Sequence, residues 1–162
     1  MRRTSCASVA FVAFSPDMLN LARGEGNDAI VCCAVSGLEF RRLVGHRKDN
    51  KDCTCEFWLN GTFKEANPAC PVQGHSLPVA GIDWSIDGLL ASCSYDKTVK
   101  LWDPSSSGEC LKTLEGHRST VSACVFAPHG KTIVSASWDA TLKIWDVELG
   151  TCLTTLKGEN YR

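Results

Sequence analysis

Two stretches of this sequence match each other almost position for position and decide its fold: Asp96-Lys-Thr-Val-Lys-Leu-Trp-Asp103 and Asp139-Ala-Thr-Leu-Lys-Ile-Trp-Asp146. Each follows a Gly-His pair, at positions 74–75 and 116–117, so the chain repeats itself every 42 to 43 residues. A repeat of this length indicates a supersecondary unit stacked on copies of itself, because one unit cannot bury its apolar surface alone.

Each unit divides into four short strands. Turn residues separate them, as at Asp87-Gly88 and His129-Gly130 after the first strand and at Asp96-Lys97 after the second. The first strands, Val79–Trp84 and Val121–Phe126, are apolar almost throughout rather than alternating. This pattern is typical of a sheet that is covered on both faces.

The Gly-His start, the Trp-Asp end and the length of the unit resemble the WD40 repeat family. The resemblance implies four-stranded antiparallel blades arranged around an axis as a β-propeller. Propellers typically have about 4 to 8 blades, whereas this chain carries two complete copies of the repeat. We therefore expect an all-β fold and an incomplete, open WD40 propeller, with one degraded blade and one half blade besides the two complete ones.

The two poorer copies precede the complete ones. Val9–Phe14 is a good first strand and Leu38–Leu43 a good last strand, but Cys33 stands where the Trp belongs. The segment Asp52-Cys-Thr-Cys-Glu-Phe-Trp58 reproduces the third-strand frame only six positions after His46, where complete copies have 21 or 22. We interpret it as half a blade without most of its first two strands. The predicted division is a degenerate blade at 1–46, a truncated half blade with an irregular loop at 47–73, repeats at 74–115 and 116–158, and a tail at 159–162.

Composition and charge narrow the function classes. A formal net charge of −1 argues against a chain whose main task is neutralising a phosphate backbone. The apolar run near the N-terminus is too short to span a membrane and lacks the features of a signal peptide. The ten cysteines are therefore expected to be free, mostly buried thiols of a cytoplasmic or nuclear protein.

A Ser, His and Asp set recurs in both complete copies. Such a set could support nucleophilic catalysis, with the His as base. It recurs in each blade, however, and it comes with a Trp whose indole N–H can donate to the hydroxyl. The resemblance implies a structural hydrogen-bond network, and we expect no catalytic residue. The expected network residues are His75, Ser92, Ser94, Asp96, Trp102, His117, Ser135, Ser137, Asp139 and Trp145.

A zinc site is the weaker alternative for the irregular segment. Cys53, Cys55, Cys70 and His75 could be drawn as ligands, but their spacing is not one of the established zinc patterns. His75 already belongs to the expected network. We expect neither a metal nor a cofactor.

The resemblance also implies where partners bind. WD40 propellers mostly hold proteins or peptides on the face formed by the loops before the first strand and after the second. The candidate partner-binding residues are Leu77, Pro78, Tyr95, Ser119, Thr120 and Trp138. Exposed Trp and Tyr are frequent interface hot spots, although Trp138 packing on a neighbouring loop is an equally open interpretation.

Three functions stay open on this basis. The first is a non-catalytic protein-interaction scaffold, a segment or shortened form of a larger WD-repeat protein in a multiprotein complex, completed by missing blades or by self-association. The second is a subunit of an RNA-associated complex, for which the charge gives no independent support. The third, more remote, is a hydrolase.

Overall fold

The computed structural model describes residues 9–25, 28–36, 38–43, 56–59, 62–65, 74–104 and 110–158. All regular secondary structure in these ranges is β-strand. The N-terminal blade contains β1 (Val9–Phe14), β2 (Asn20–Glu25), β3 (Asp28–Cys33) and β4 (Glu39–Leu43), and the half blade contains β5 (Glu56–Leu59) and β6 (Thr62–Glu65). The middle blade contains β7 (Val79–Trp84), β8 (Leu90–Ser94), β9 (Val99–Trp102) and β10 (Cys110–Leu114), and the C-terminal blade contains β11 (Val121–Phe126), β12 (Thr132–Ser137), β13 (Thr141–Asp146) and β14 (Cys152–Lys157).

Three of the four described sheets are four-stranded, and in each of them successive strands are antiparallel neighbours. The first strand of each four-stranded sheet has a register shift near its start, between Val79 and Gly81 in the middle blade and between Val121 and Ala123 in the C-terminal blade. The sheets form an open row in the described ranges. The predicted all-β, open propeller is confirmed.

The N-terminal blade keeps all four strands although its sequence has lost the repeat signature. Its register corrects one prediction. Leu21 pairs with Cys32, as Leu90 pairs with Trp102 in the middle blade. Cys32, and not Cys33, therefore occupies the tryptophan position, because the connection from β2 to β3 is one residue shorter here, with Glu25 paired to Asp28 where the middle blade joins Ser94 to Thr98.

The half blade is a two-stranded hairpin beside β4, with Trp58 opposite Phe63. His46, Asp52 and the three cysteines between residues 53 and 70 lie outside the described residues.

Two apolar clusters hold the three full blades together. In the first, Ala22, Ala29 and Val31 of the N-terminal blade pack against Ile82, Leu90 and Trp102 of the middle blade. These two sheets meet directly, although the half blade lies between them in the sequence. The second cluster joins the middle and C-terminal blades and consists of Ala91, Cys93, Val99, Leu101, Leu114, Val121, Cys124, Phe126, Ile133 and Trp145.

Gly81 lies where the middle blade faces the C-terminal blade. A Cβ atom at this position would lie 2.9 Å from Cys93 Sγ, on the paired strand of the same blade, and 3.4 Å from the Cα of Ala123 on β11. The side chain of Cys93 therefore leaves no room for a Cβ atom here, while β11 lies at van der Waals distance. Within the described ranges there is no helix long and apolar enough to cross a membrane.

Candidate functional site

A buried chain of hydrogen bonds crosses the middle blade. The indole Nε1 of Trp102 donates to Ser92 Oγ at 2.8 Å, and Ser92 Oγ lies 2.8 Å from His75 Nε2. The other ring nitrogen of His75, Nδ1, lies 2.8 Å from Asp96 Oδ2. Because an ionised carboxylate only accepts, His75 Nδ1 donates to it, and Nε2 accepts the hydroxyl proton of Ser92. Two inner strands, a leading loop and a turn are thereby tied together.

The C-terminal blade repeats this chain with the same geometry. Trp145 Nε1 donates to Ser135 Oγ at 2.8 Å, and Ser135 Oγ lies 2.7 Å from His117 Nε2. His117 Nδ1 lies 2.9 Å from Asp139 Oδ2. A single reaction needs only one nucleophile, whereas a structural element recurs in each blade that it holds together. The repetition of this arrangement in two blades therefore favours a structural role.

Further donors converge on the two carboxylates. The hydroxyl of Thr98 donates to Asp96 Oδ1 at 2.7 Å, and the hydroxyl of Thr141 donates to Asp139 Oδ1 at 2.6 Å. Burial opposes the ionisation of Asp96, but the hydrogen bond and electrostatic attraction of His75, with the bonds from Thr98, outweigh it and hold the pKa well below its usual value. For Asp139, the bonds from Thr141, the Arg118 backbone and His117 likewise outweigh burial, and its pKa is also well below the usual value.

Ser94 and Ser137, which were expected in the same network, have a different set of partners. Ser94 Oγ donates to the carbonyl of Leu77 at 2.9 Å and accepts the N–H of Asp96 at 3.0 Å. Ser137 Oγ makes the equivalent bonds to the carbonyl of Ser119 and the N–H of Asp139, both at 3.1 Å. These serines therefore fix the loops at the blade edge rather than extend the histidine chain.

The catalytic and metal alternatives find little support in this geometry. Ser92 and Ser135 are fully buried, and each Oγ already accepts an indole N–H, so neither hydroxyl faces a space that a substrate could enter. Both ring nitrogens of His75 are hydrogen-bonded. In the described part of the chain, no three metal-ligating side chains are grouped.

The six candidate partner-binding residues lie on the edge formed by the loops before β7 and β11 and the turns after β8 and β12, and we refer to them as the rim. The list is Leu77, Pro78, Tyr95, Ser119, Thr120 and Trp138. Tyr95 and Trp138 come from equivalent positions of adjacent blades, and their rings are 6.1 Å apart with an interplanar angle of 43°. Trp138 nevertheless remains 70% exposed.

The rim is held by main-chain hydrogen bonds directly beneath the two aromatic side chains. The N–H of Tyr95 donates to the carbonyl of Pro78 at 3.1 Å, and the N–H of Trp138 donates to the carbonyl of Thr120 at 2.9 Å. The aromatic pair is therefore presented on a fixed backbone, which lowers the entropy that a partner must remove on binding.

One feature that sequence reasoning missed is a recess of about 510 Å³ in the C-terminal blade, lined in part by Arg118, Lys143 and Lys157. The repeat carried a signal for it. The equivalent positions in the middle blade are Ser76, Lys100 and Glu115, so the C-terminal blade has gained positive charge at this edge.

Three four-stranded antiparallel sheets pack face to face, and two of them carry a tryptophan, serine, histidine and aspartate tied in one chain; this is the arrangement of blades in a β-propeller. Comparison with known families is consistent with this class. The family described as WD domain, G-beta repeat, matches residues 67–103 and 108–146. The chain therefore contains two WD40 repeats at these residues.

Known proteins extend the comparison. Nuclear distribution protein PAC1 of Arthroderma otae is 39% identical over 118 residues, which cover 66% of this chain and 25% of the relative. Nuclear distribution protein nudF of Aspergillus niger is 35% identical over 136 residues, covering 82% of this chain and 29% of the relative. The chain thus spans about a quarter of the length of these relatives. A solved structure titled "Structure of U3-55K" superposes with a TM-score of 0.75, covering 98% of this chain and 42% of that chain at 23% identity, and shows the shared fold.

Proposed function

We propose that this chain is a non-catalytic scaffold that binds proteins or peptides through the rim, as a part or shortened form of a larger WD-repeat protein in a multiprotein complex. The observation that carries this proposal is the pair formed by Tyr95 and Trp138. Trp138 is 70% exposed on a fixed backbone, and such high exposure is unusual for a tryptophan side chain. It is the kind of residue that becomes a binding hot spot.

The surroundings of the pair favour a protein or peptide ligand. Leu77 and Pro78, both exposed, lie on the loop beside Tyr95, and Ser119 and Thr120 offer polar groups beside Trp138. An aromatic centre flanked by small polar groups matches the usual anatomy of a protein interface. We propose that the protein acts in the cytoplasm or the nucleus, in keeping with its free cysteines and its relatives named nuclear distribution proteins.

The buried state of Ser92 and Ser135 supports the non-catalytic part of the proposal. If these hydroxyls served only structure, replacing each of them with alanine would lower the melting temperature. A hydrolase would instead show a turnover of ester or peptide substrates that disappears in the Ser92→Ala or Ser135→Ala variant while the fold remains intact.

The decisive test of the rim compares Trp138→Ala with Leu149→Ala. Leu149 is a matched control because it is also 70% exposed but lies in the turn between β13 and β14, away from the rim. Proteins bound to the immobilised wild-type chain would be quantified by mass spectrometry, and the strongest would be produced pure and its affinity measured for each variant.

We expect Trp138→Ala to weaken a true partner by about tenfold or more, which corresponds to roughly 1.4 kcal/mol or more of binding energy. Leu149→Ala should leave the affinity unchanged, and the melting temperatures of both variants should match the wild type. If every partner tolerates the loss of Trp138, the rim is not the binding face. If Trp138→Ala instead unfolds the blade, Trp138 serves packing and does not carry the proposal.

A further inference from the structure

The outer face of the C-terminal blade is apolar, and within the described residues nothing packs on it. The pairing of its strands places one row at Val125, Val134, Ile144 and Thr154 and a second row at Ala123, Ala136, Leu142 and Leu156. Directly opposed residues on antiparallel strands point to the same side of a sheet. Seven of these eight side chains are apolar, and we refer to the set as the forward face of the C-terminal blade.

The middle blade has the same face, but there it is covered. The residues equivalent to Val134, Ala136, Leu142, Ile144 and Leu156 are Ala91, Cys93, Val99, Leu101 and Leu114. All five are fully buried against the C-terminal blade. In the C-terminal blade, Leu142 and Leu156 are exposed and Val125 is 53% exposed. At these five positions the two faces are alike in chemistry, while Val125 and Thr154 stand where the middle blade has Asp83 and Lys112.

In this chain a forward face is covered by one kind of surface, the rear face of another blade. The rear face of the middle blade, which includes Ile82, Leu90 and Trp102, covers the forward face of the N-terminal blade. These two blades are not successive copies of the repeat, because the half blade lies between them in sequence. Contact between blades therefore depends on the type of face and does not require chain order.

The N-terminal blade presents a rear face with exposed apolar side chains. Val12 and Phe14 lie at the positions that correspond to Ile82 and Trp84 in the middle blade, and Phe14 is 51% exposed. The Arg23–Glu39 ion pair, at 3.7 Å, lies on the same side of this sheet. As a preformed pair it does not leave an isolated charge when it is covered.

We infer that the forward face of the C-terminal blade binds the rear face of the N-terminal blade of a second copy of this chain. The contact joins two different surfaces, so a closed dimer contains it twice. Each copy gives its forward face to one contact and its rear face to the other. Two copies bring together six four-stranded sheets, and six lies within the range of about 4 to 8 blades that closed propellers have. A closed dimer would cover both forward faces and both exposed rear faces.

The test uses the whole chain and two exposed positions, one on each face. Leu142→Asp places a charge in the forward face, at a position whose equivalent in the middle blade is the buried Val99, and Phe14→Asp places one in the rear face. Leu149→Asp is the control, since Leu149 is also exposed but lies on neither face. Circular dichroism would check that each variant keeps its strands, and light scattering after size exclusion would give the mass over a range of concentrations.

We expect the wild type and Leu149→Asp to show twice the monomer mass of 17.6 kDa. Leu142→Asp and Phe14→Asp alone should both shift to the monomer, with dissociation constants raised by about tenfold or more, because an unpaired charge is costly to bury in an apolar contact. An equimolar mixture of the two variants should dimerise again, but more weakly than the wild type. In that mixture one contact is intact, because the forward face of Phe14→Asp meets the rear face of Leu142→Asp, and the other contact joins the two altered faces.

Other occupants of the forward face would give different results. A contact between two forward faces would be broken by Leu142→Asp, untouched by Phe14→Asp, and not restored by mixing. A wild-type chain that stays a monomer at every concentration, or an assembly that survives Leu142→Asp, would mean that something other than a second copy covers this face. Each of these results overturns the inference.

Discussion

The carboxylate of Asp83 on β7 accepts a hydrogen bond from the backbone N–H of Phe126 on β11, with an Oδ2 to N distance of 2.7 Å. This bond joins the middle and C-terminal blades at their inner strands, beside the apolar cluster that contains Phe126. A charge-assisted bond of this length is stronger than an ordinary amide bond. The bond constrains the relative orientation of the two blades, whereas the apolar contacts around it have no preferred direction.

Replacing Asp83 with alanine should weaken this junction. The Phe126 N–H would lose its partner in a partly buried place, so we expect the free energy of unfolding to fall by roughly 1.5 to 3 kcal/mol. Denaturant melts followed by circular dichroism would measure the change. Asp83→Asn is the control, since its amide oxygen still accepts the bond and a smaller loss is expected. Equal stability of Asp83→Ala and the wild type would show that the bond contributes nothing.

The buried network should behave as a coupled unit. Ser135→Ala leaves both the Trp145 indole N–H and His117 Nε2 without their partner, and we expect a loss of about 1 to 3 kcal/mol in the free energy of unfolding. Trp145→Phe removes the indole donor instead, and a double-mutant cycle with Ser135→Ala should show non-additive losses. Ser122→Ala, which alters an exposed hydroxyl, should change little. Additive losses at Ser135 and Trp145 would contradict the coupling.

Acid should destabilise the two signature blades through Asp96 and Asp139. Both carboxyls have pKa values in the fold that are well below their usual value. A depressed pKa contributes stability above the unfolded-state pKa of about 3.9, and this contribution is lost as the pH falls below it. The free energy of unfolding should therefore drop as the pH is lowered from about 5 towards 2. The Asp96→Asn/Asp139→Asn double variant should be less stable at pH 7, and its free energy of unfolding should depend less steeply on pH. If that dependence is as steep as in the wild type, other groups cause the acid sensitivity.

The turn after β1 carries a residue that is poorly suited to its backbone. Met18 has a φ angle of 60°, while the equivalent turns have Gly88 at 84° and Gly130 at 71°. Because a Cβ atom makes this left-handed conformation unfavourable by about 1 kcal/mol, Met18→Gly should raise the free energy of unfolding of the N-terminal blade by up to that amount. Thermal melts would measure it. Met18→Ala keeps the Cβ and should give no such gain, so equal effects of the two changes would rule out relief of backbone strain.

The repeat made much of the fold predictable from the sequence. The strands between His75 and Leu156 follow from two copies that match in their turns and apolar runs, and the all-β, open propeller is confirmed. The N-terminal copy was harder, because its Trp and His are missing and only strand register could show that Cys32 occupies the tryptophan position. The second strand of that blade, Asn20–Glu25, contains charged residues and glycine and has no distinctive apolar pattern.

The roles of single residues were only partly accessible. The repeat anchors marked the ten candidate network residues by their recurrence, but recurrence carries no distances, so it did not separate the hydroxyls that bond to histidine from Ser94 and Ser137, which bond to the loops. The Asp83–Phe126 bond was invisible in the repeat, because the position equivalent to Asp83 in the C-terminal blade is Val125. A bond between blades leaves no trace in the pattern of one blade.

The sequence by itself determined the unit of structure: strand lengths, turns and the alternation of inward and outward residues depend on neighbours along the chain, and these are written in each copy of the repeat. The tertiary structure alone decided which units meet. The N-terminal and middle blades pack face to face across the half blade, and the C-terminal blade keeps an apolar face uncovered within the described residues. The physical reason is that the burial of apolar surface is non-directional and does not depend on the order of the blades along the chain. Two complementary apolar faces that come into contact therefore pack.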